Sequence, residues 1–164
     1  MKRFLIIVCA LILLCSCRAA SNRFSSSVFD ADLPETFRQV SDADILCFAP
    51  YGDPLRSSSI TFYSTELNWY FDTWTESEYA SALGELCGYD ALSVNGLQSC
   101  RVDGYDARRI ACKVLLDQIE HDLIIYAIHA DHTYFFTLLN RESDSYIEPF
   151  DAMMKTINLK GMQS

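Results

Sequence analysis

The chain is 164 residues long, half of it hydrophobic and 13% aromatic, and it carries a formal net charge of −9 from 22 acidic and 13 basic residues. A length within the usual range of one domain, with that much apolar surface, gives a single folded unit with a real core and excludes a disordered chain. The acidic balance excludes recognition of a nucleic acid through its phosphate backbone, and also adhesion to anionic lipid by charge alone.

The amino terminus carries the strongest signal. Lys2 and Arg3 form a short basic region and Phe4 to Leu14 an unbroken apolar run of eleven residues, the pattern of a secretory signal peptide. Such a run reaches about 16 Å as a helix, roughly half a bilayer core, so it targets the chain without spanning the membrane. It ends in Leu14, Cys15, Ser16, Cys17 and Arg18. This resembles the lipobox of bacterial lipoproteins, with an aliphatic residue at −3, small residues at −2 and −1, and the modified cysteine at +1. The resemblance implies that residues 1–16 are removed and that Cys17 takes a diacylglyceryl thioether. Acyl chains contribute roughly 0.8 kcal/mol per buried methylene, so two or three of them anchor a domain without a basic patch. Residues 17–27 then read as the lipidated cysteine and a polar tether, and 28–164 as the domain.

Along the domain, Asp44 to Phe48 and Ile60 to Tyr63 read as strands, separated by Pro50, Gly52, Pro54 and a serine run. Trp69, Tyr70, Phe71, Trp74 and Tyr79 follow within eleven residues. Rings in this density stack on a sugar or hold an apolar ligand, which makes Trp69, Tyr70 and Trp74 candidate binding residues; a crossover from strand to helix equally buries such rings as core. Thr75 and Glu78 form a capping box, with Trp74 and Tyr79 placed as a hydrophobic staple. Tyr79, Ala82, Leu83 and Leu86 recur at helical spacing before Gly88, predicting a helix over Glu76 to Cys87.

Four strands are predicted next. Gln98 to Val102 and Ala107 to Leu116 flank Asp103 and Gly104, a hairpin signal, and Leu123 to His129 and Thr133 to Leu139 flank a tight turn at Ala130 and Asp131. Together they make an antiparallel meander. A second helix begins near Ser145 to Pro149 and carries Phe150, Met153, Met154 and Ile157 on one stripe, with Pro149 in its first turn. Strands followed by packed helices define an α+β layer architecture.

The order of early strands, mid-chain helix, the run Val102 to Ala107 with its Gly-x-x-Ala element, two apolar strands containing Tyr134, Phe135 and Phe136, and the closing helix resembles the PsbP/Mog fold. That superfamily includes the photosystem subunit PsbP, the Ran-binding Mog protein and DcrB-type lipoproteins. The resemblance covers Phe29 to Leu159 and implies an antiparallel sheet flanked by helices, an α/β/α sandwich. It carries no metal-binding or partner-binding residue onto this chain, and one fold hosts unrelated tasks.

Chemistry-bearing residues are few. A two-residue turn at Ala130 and Asp131 makes His129 and His132 a cross-strand pair, about 5 Å apart at Cβ, able to pinch a divalent metal with Asp131 or Asp122 adding an oxygen. A structural zinc site needs four ligands, and a solvated hairpin tip is the competing reading. Cys47, Cys87, Cys100 and Cys112 are an even number in an exported domain, compatible with one or two disulfides in any of three connectivities or with buried free thiols. The hydrolase elbow, phosphate-binding loop, zinc-protease helix and dinucleotide fingerprint are all absent from the sequence. These features rank three functions. First is a non-catalytic binding or interaction module, lipid-anchored outside the cytoplasm of a bacterium, for an envelope protein or small ligand; then a metal-binding lipoprotein; then an envelope hydrolase.

Overall fold

A computed structural model describes residues 22–41, 45–51, 57–66, 73–89, 92–141 and 145–160. Ten strands and two helices are placed among them. In chain order they are β1 (Arg23–Ser25), β2 (Phe29–Asp32), β3 (Phe37–Ser41), β4 (Leu46–Pro50), β5 (Ser59–Thr65), α1 (Glu76–Cys87), β6 (Leu92–Val102), β7 (Tyr105–Leu116), β8 (Ile119–His129), β9 (Thr133–Asn140), α2 (Ile147–Met154) and β10 (Asn158–Leu159). A seven-stranded antiparallel sheet runs β3-β4-β5-β9-β8-β7-β6, and a small sheet runs β1-β2-β10. The fold is the α+β architecture that the sequence predicts.

The sheet order follows from the connections. After β5 the chain builds α1 and re-enters at the far edge as β6, then returns by three hairpins until β9 docks beside β5. The β6–β7 turn has φ of 51° at Asp103 and 81° at Gly104, positive at both positions as a two-residue hairpin requires. The β7–β8 turn uses Asp117 and Gln118 at φ of 50° and 66°. Without a glycine that turn carries little sequence signal, which is why β8 begins four residues before the predicted Leu123. β6 begins at Leu92 rather than Gln98 because a bulge between Val94 and Gly96 breaks its alternation.

β9 and the Leu123 to Ile128 stretch of β8 are buried on both faces, so their residues serve two cores in alternation. Ile124, Tyr126, Ile128, Tyr134, Phe136 and Leu138 face Phe29, Phe62, Phe150, Met153 and Met154. Leu123, Ile125, Ala127, Phe135 and Leu139 face Tyr79 and Leu83 of α1. Strands buried on both sides read as continuous apolar runs, the pattern of Leu123 to Ile128.

α1 has the predicted bounds and caps: Thr75 accepts from the Glu78 amide, Glu78 accepts from the Thr75 amide, and Gly88 closes the helix at φ 72°. α2 ends at Met154, earlier than its apolar stripe suggests. Ile157 is still buried, but the chain leaves the helix so that β10 can pair with β2. Part of the segment expected to be polar tether packs on the domain. Asn22 Nδ2 donates to the carbonyls of Pro34 at 2.9 Å and Phe37 at 2.7 Å, and Phe24 packs on Phe29 and Phe48, so residues 22–25 belong to the domain.

Candidate binding cleft on the α1 face

α1 covers only part of its side of the sheet, which sets where a site can form. One cross-strand row on that face runs Leu97, Ile110, Ile125, Thr137, Thr61 and Cys47 from β6 to β4. The row changes from aliphatic to hydroxyl-bearing at Thr137, where the carboxyl end of α1 leaves a cavity of about 450 Å³. Ile45, Thr61, Tyr63, Leu86, Cys87, Tyr89, Leu123 and Thr137 are among the residues that line it.

Each wall has a local cause. Tyr63 lies on β5 directly opposite Phe135, and the two rings stack at 4.9 Å and 11°. Its hydroxyl is 4.0 Å from Cys87 Sγ in the last turn of α1. Tyr89 is folded back under the helix by the left-handed Gly88, its amide donating to the Gly84 carbonyl at 2.9 Å. A Cβ at Gly84 would stand only 3.1 Å from the Tyr89 carbonyl oxygen, so glycine permits that approach. On the floor, the hydroxyls of Thr61 and Thr137 share a hydrogen bond.

The titratable groups around the cleft are held in their protonated forms. Burial pushes the Tyr63 hydroxyl well up, reinforced by Cys87, and pushes the Cys87 thiol up against the smaller opposing effect of Tyr63. Burial does the same to Tyr89 and Cys47; at Tyr89 the nearby Arg141 partly offsets it. A thiol reacts as its thiolate, and proton transfer needs a group that titrates near working pH, so these groups are suited to contact rather than to attack.

The residues singled out from sequence fall in several places. Cys17, Trp69 and Tyr70 lie outside the described residues. Trp74 is half-buried and packs edge-on to Tyr79 at 5.3 Å, so it acts as the helix staple within the α1 core. His129 and His132 do not form the predicted cross-strand pair. The turn has three residues, Ala130 to His132, closed by the Ala130 amide donating to the His132 carbonyl, and His129 sits opposite Thr133. Alanine disfavours the positive φ of a two-residue turn, which accounts for the longer loop. His132 Nδ1 instead lies 3.5 Å from Asp131 Oδ2, and Asp131 accepts from the Tyr134 hydroxyl at 2.8 Å. Among the described residues no group of three or more His, Cys, Asp and Glu is placed to hold a metal ion. Cys47, Cys87, Cys100 and Cys112 are free thiols. Sequence reasoning missed Thr61, Tyr63 and Thr137; the available signal was a threonine inside the otherwise apolar run of β9.

No family model matches the chain, and no curated protein matches it. Solved structures do. The cyanobacterial PsbP (CyanoP) of Synechocystis sp. PCC 6803 aligns over 88% of this chain and 97% of its own, at 14% identity and a TM-score of 0.62. LpqN of Mycobacterium tuberculosis, described as involved in cell envelope biogenesis, aligns over 80% of this chain and 82% of its own, at 12% identity and a TM-score of 0.52. A protein of Bacteroides thetaiotaomicron aligns over 87% of this chain at 9% identity and a TM-score of 0.55, and the chain spans about half of its length. At these identities the likeness is one of fold. The class it defines is a PsbP-like α+β domain.

Proposed function

We propose that this chain is a lipid-anchored, extracytoplasmic binding module of the bacterial cell envelope, non-catalytic, with its binding site in the cleft beside the carboxyl end of α1. The observation that carries the reading is the cleft itself: about 450 Å³ of space, walled by rings and aliphatic chains, with the Tyr63 hydroxyl and the Cys87 thiol held protonated. Ligand sites of this kind are mostly apolar with a few placed polar groups, whereas a reaction centre needs a group poised to titrate.

The proposed address rests on Leu14 to Cys17 and on the apolar run before them. Among the described residues no helix is long and apolar enough to cross a membrane. That one protein of similar fold, LpqN, is described as involved in envelope biogenesis is in keeping with the reading. Expression in a bacterium with membrane fractionation and intact-mass analysis tests it. The native chain is expected in the membrane fraction, beginning at a diacylated Cys17. Cys17→Ser should leave that fraction while its domain melts at an unchanged temperature, because the first described strand starts only at Arg23. An unmodified Cys17, or a leader retained in a cytosolic fraction, would falsify the anchoring.

A further inference from the structure

The cleft has a feature that narrows its occupant. The chain carries 35 formally charged side chains, 22 acidic and 13 basic, yet Asp, Glu, Lys, Arg and His are all missing from the cleft's described lining. Resting on the binding-module reading above, we infer that the cleft takes an uncharged amphipathic small molecule. Its apolar ring or short chain lies between Leu86 and Leu123 and against Tyr63, and its hydroxyl, amide or carbonyl group meets the Thr61 and Thr137 hydroxyls.

Three physical arguments carry this. The first is size: 450 Å³ lies within the range of sites that enclose one small ligand, and it is open at the rim beside the exposed Ile45. The second is polarity. Thr61 and Thr137 satisfy one another with one hydrogen bond, which leaves a second hydroxyl hydrogen and several lone pairs for a guest. A purely apolar void would have no such groups, and Thr137 is 6% exposed, so its hydroxyl is a buried polar group on the cleft floor. The third is charge. Among the described lining residues an ionised guest finds no counter-charge, Arg141 acting on Tyr89 from outside that lining, and transfer of an unpaired ion into such a site is unfavourable. A neutral guest gives up little there.

A matched pair of fluorescent probes tests the inference. N-phenyl-1-naphthylamine and 8-anilino-1-naphthalenesulfonate share their ring system and differ by one sulfonate. Titrations use the full chain and two variants that fill the cleft from opposite walls, Leu86→Trp from the helix and Thr61→Trp from the sheet; comparison among the three cancels any probe held by the leader. The neutral probe is expected to saturate at one per chain, at least ten-fold more tightly than the sulfonate. Either filling variant should weaken it at least ten-fold, with circular dichroism confirming the fold; if Leu86→Trp fails to fold, Thr61→Trp decides. A sulfonate that binds as tightly as the neutral probe, and is lost in the same variants, would keep the cleft as a binding site and overturn the neutral occupant. A neutral probe that does not bind, or whose affinity neither variant changes, would overturn the cleft as a site, leaving the anchoring to its own mass measurement. A chain that sediments as a dimer dissociated by either variant would put a second copy in the cleft and likewise overturn the inference.

Discussion

Asp151 on α2 accepts three hydrogen bonds from the sheet beneath it: Arg109 Nε at 2.9 Å, Arg109 Nη2 at 3.0 Å and the Tyr126 hydroxyl at 2.8 Å. A bidentate guanidinium with a phenol fixes the helix in angle as well as height, since each donor constrains a different direction. Arg109 and Asp151 retain 21% and 30% side-chain exposure, so the clamp is worth less than a fully buried pair. Asp151→Ala should cost about 2 kcal/mol, read as a lower urea midpoint with an unchanged slope. On the opposite face, burial pushes the Cys112 thiol up to about 12. Its thiolate fraction at pH 8 is then roughly a thousandth of that of an ordinary thiol. Iodoacetamide at that pH should leave Cys112 unlabelled in the folded protein and label it fully in urea, as mass spectrometry of the peptides would show.

At the scale of elements, α1 illustrates how a local signal survives into the structure. Its cap is made by residues three positions apart, Thr75 and Glu78, with the Trp74 and Tyr79 rings closing around them, so each contact is encoded within a few residues. Thr75→Ala should lower stability by about 1 kcal/mol, measured by chemical denaturation, because the Glu78 amide loses the hydroxyl to which it donates. The meander β6 to β9 was legible for a related reason, since alternation and the Asp103-Gly104 turn are both local. β1, β2, β3 and β10 were not. They have two to five residues each, and Phe29, Ala31 and Phe37 become core only through pairings with distant chain, such as Asn158 with Asp30. The cleft was illegible in the same way. Thr61 and Thr137 are 76 positions apart, and nothing near either one announces the other. The two histidines show the converse failure, where a register argued from spacing alone gave way to a one-residue-longer loop.

At the scale of the whole molecule, the small sheet draws the first and last described strands together. Asp30 of β2 receives the Lys160 ammonium at 2.7 Å and the Ser25 hydroxyl at 2.6 Å, so β1, β2 and the segment after β10 meet at one carboxylate. The hydrogen bond from Lys160, then that from Ser25, holds the Asp30 carboxyl below the usual carboxylate range. A carboxyl lowered on folding contributes stability that is present above its unfolded value, near pH 4, and is lost as pH falls through its folded value. Asp30→Asn should therefore lower the urea midpoint at pH 6, with the gap to the parent closing as the pH drops below about 4. The Lys160 side chain keeps 34% of its exposure, so 1 M salt should shrink the same gap.

Because Asn22 is already pinned to Pro34 and Phe37, only five peptide steps separate it from Cys17. Fully stretched they cover about 18 Å, less than the roughly 29 Å spanned across the seven strands of the large sheet. If residue 17 is the lipid attachment point, the protein is leashed against the headgroups. It cannot ferry cargo across an aqueous gap, and whatever enters it must come to the membrane surface.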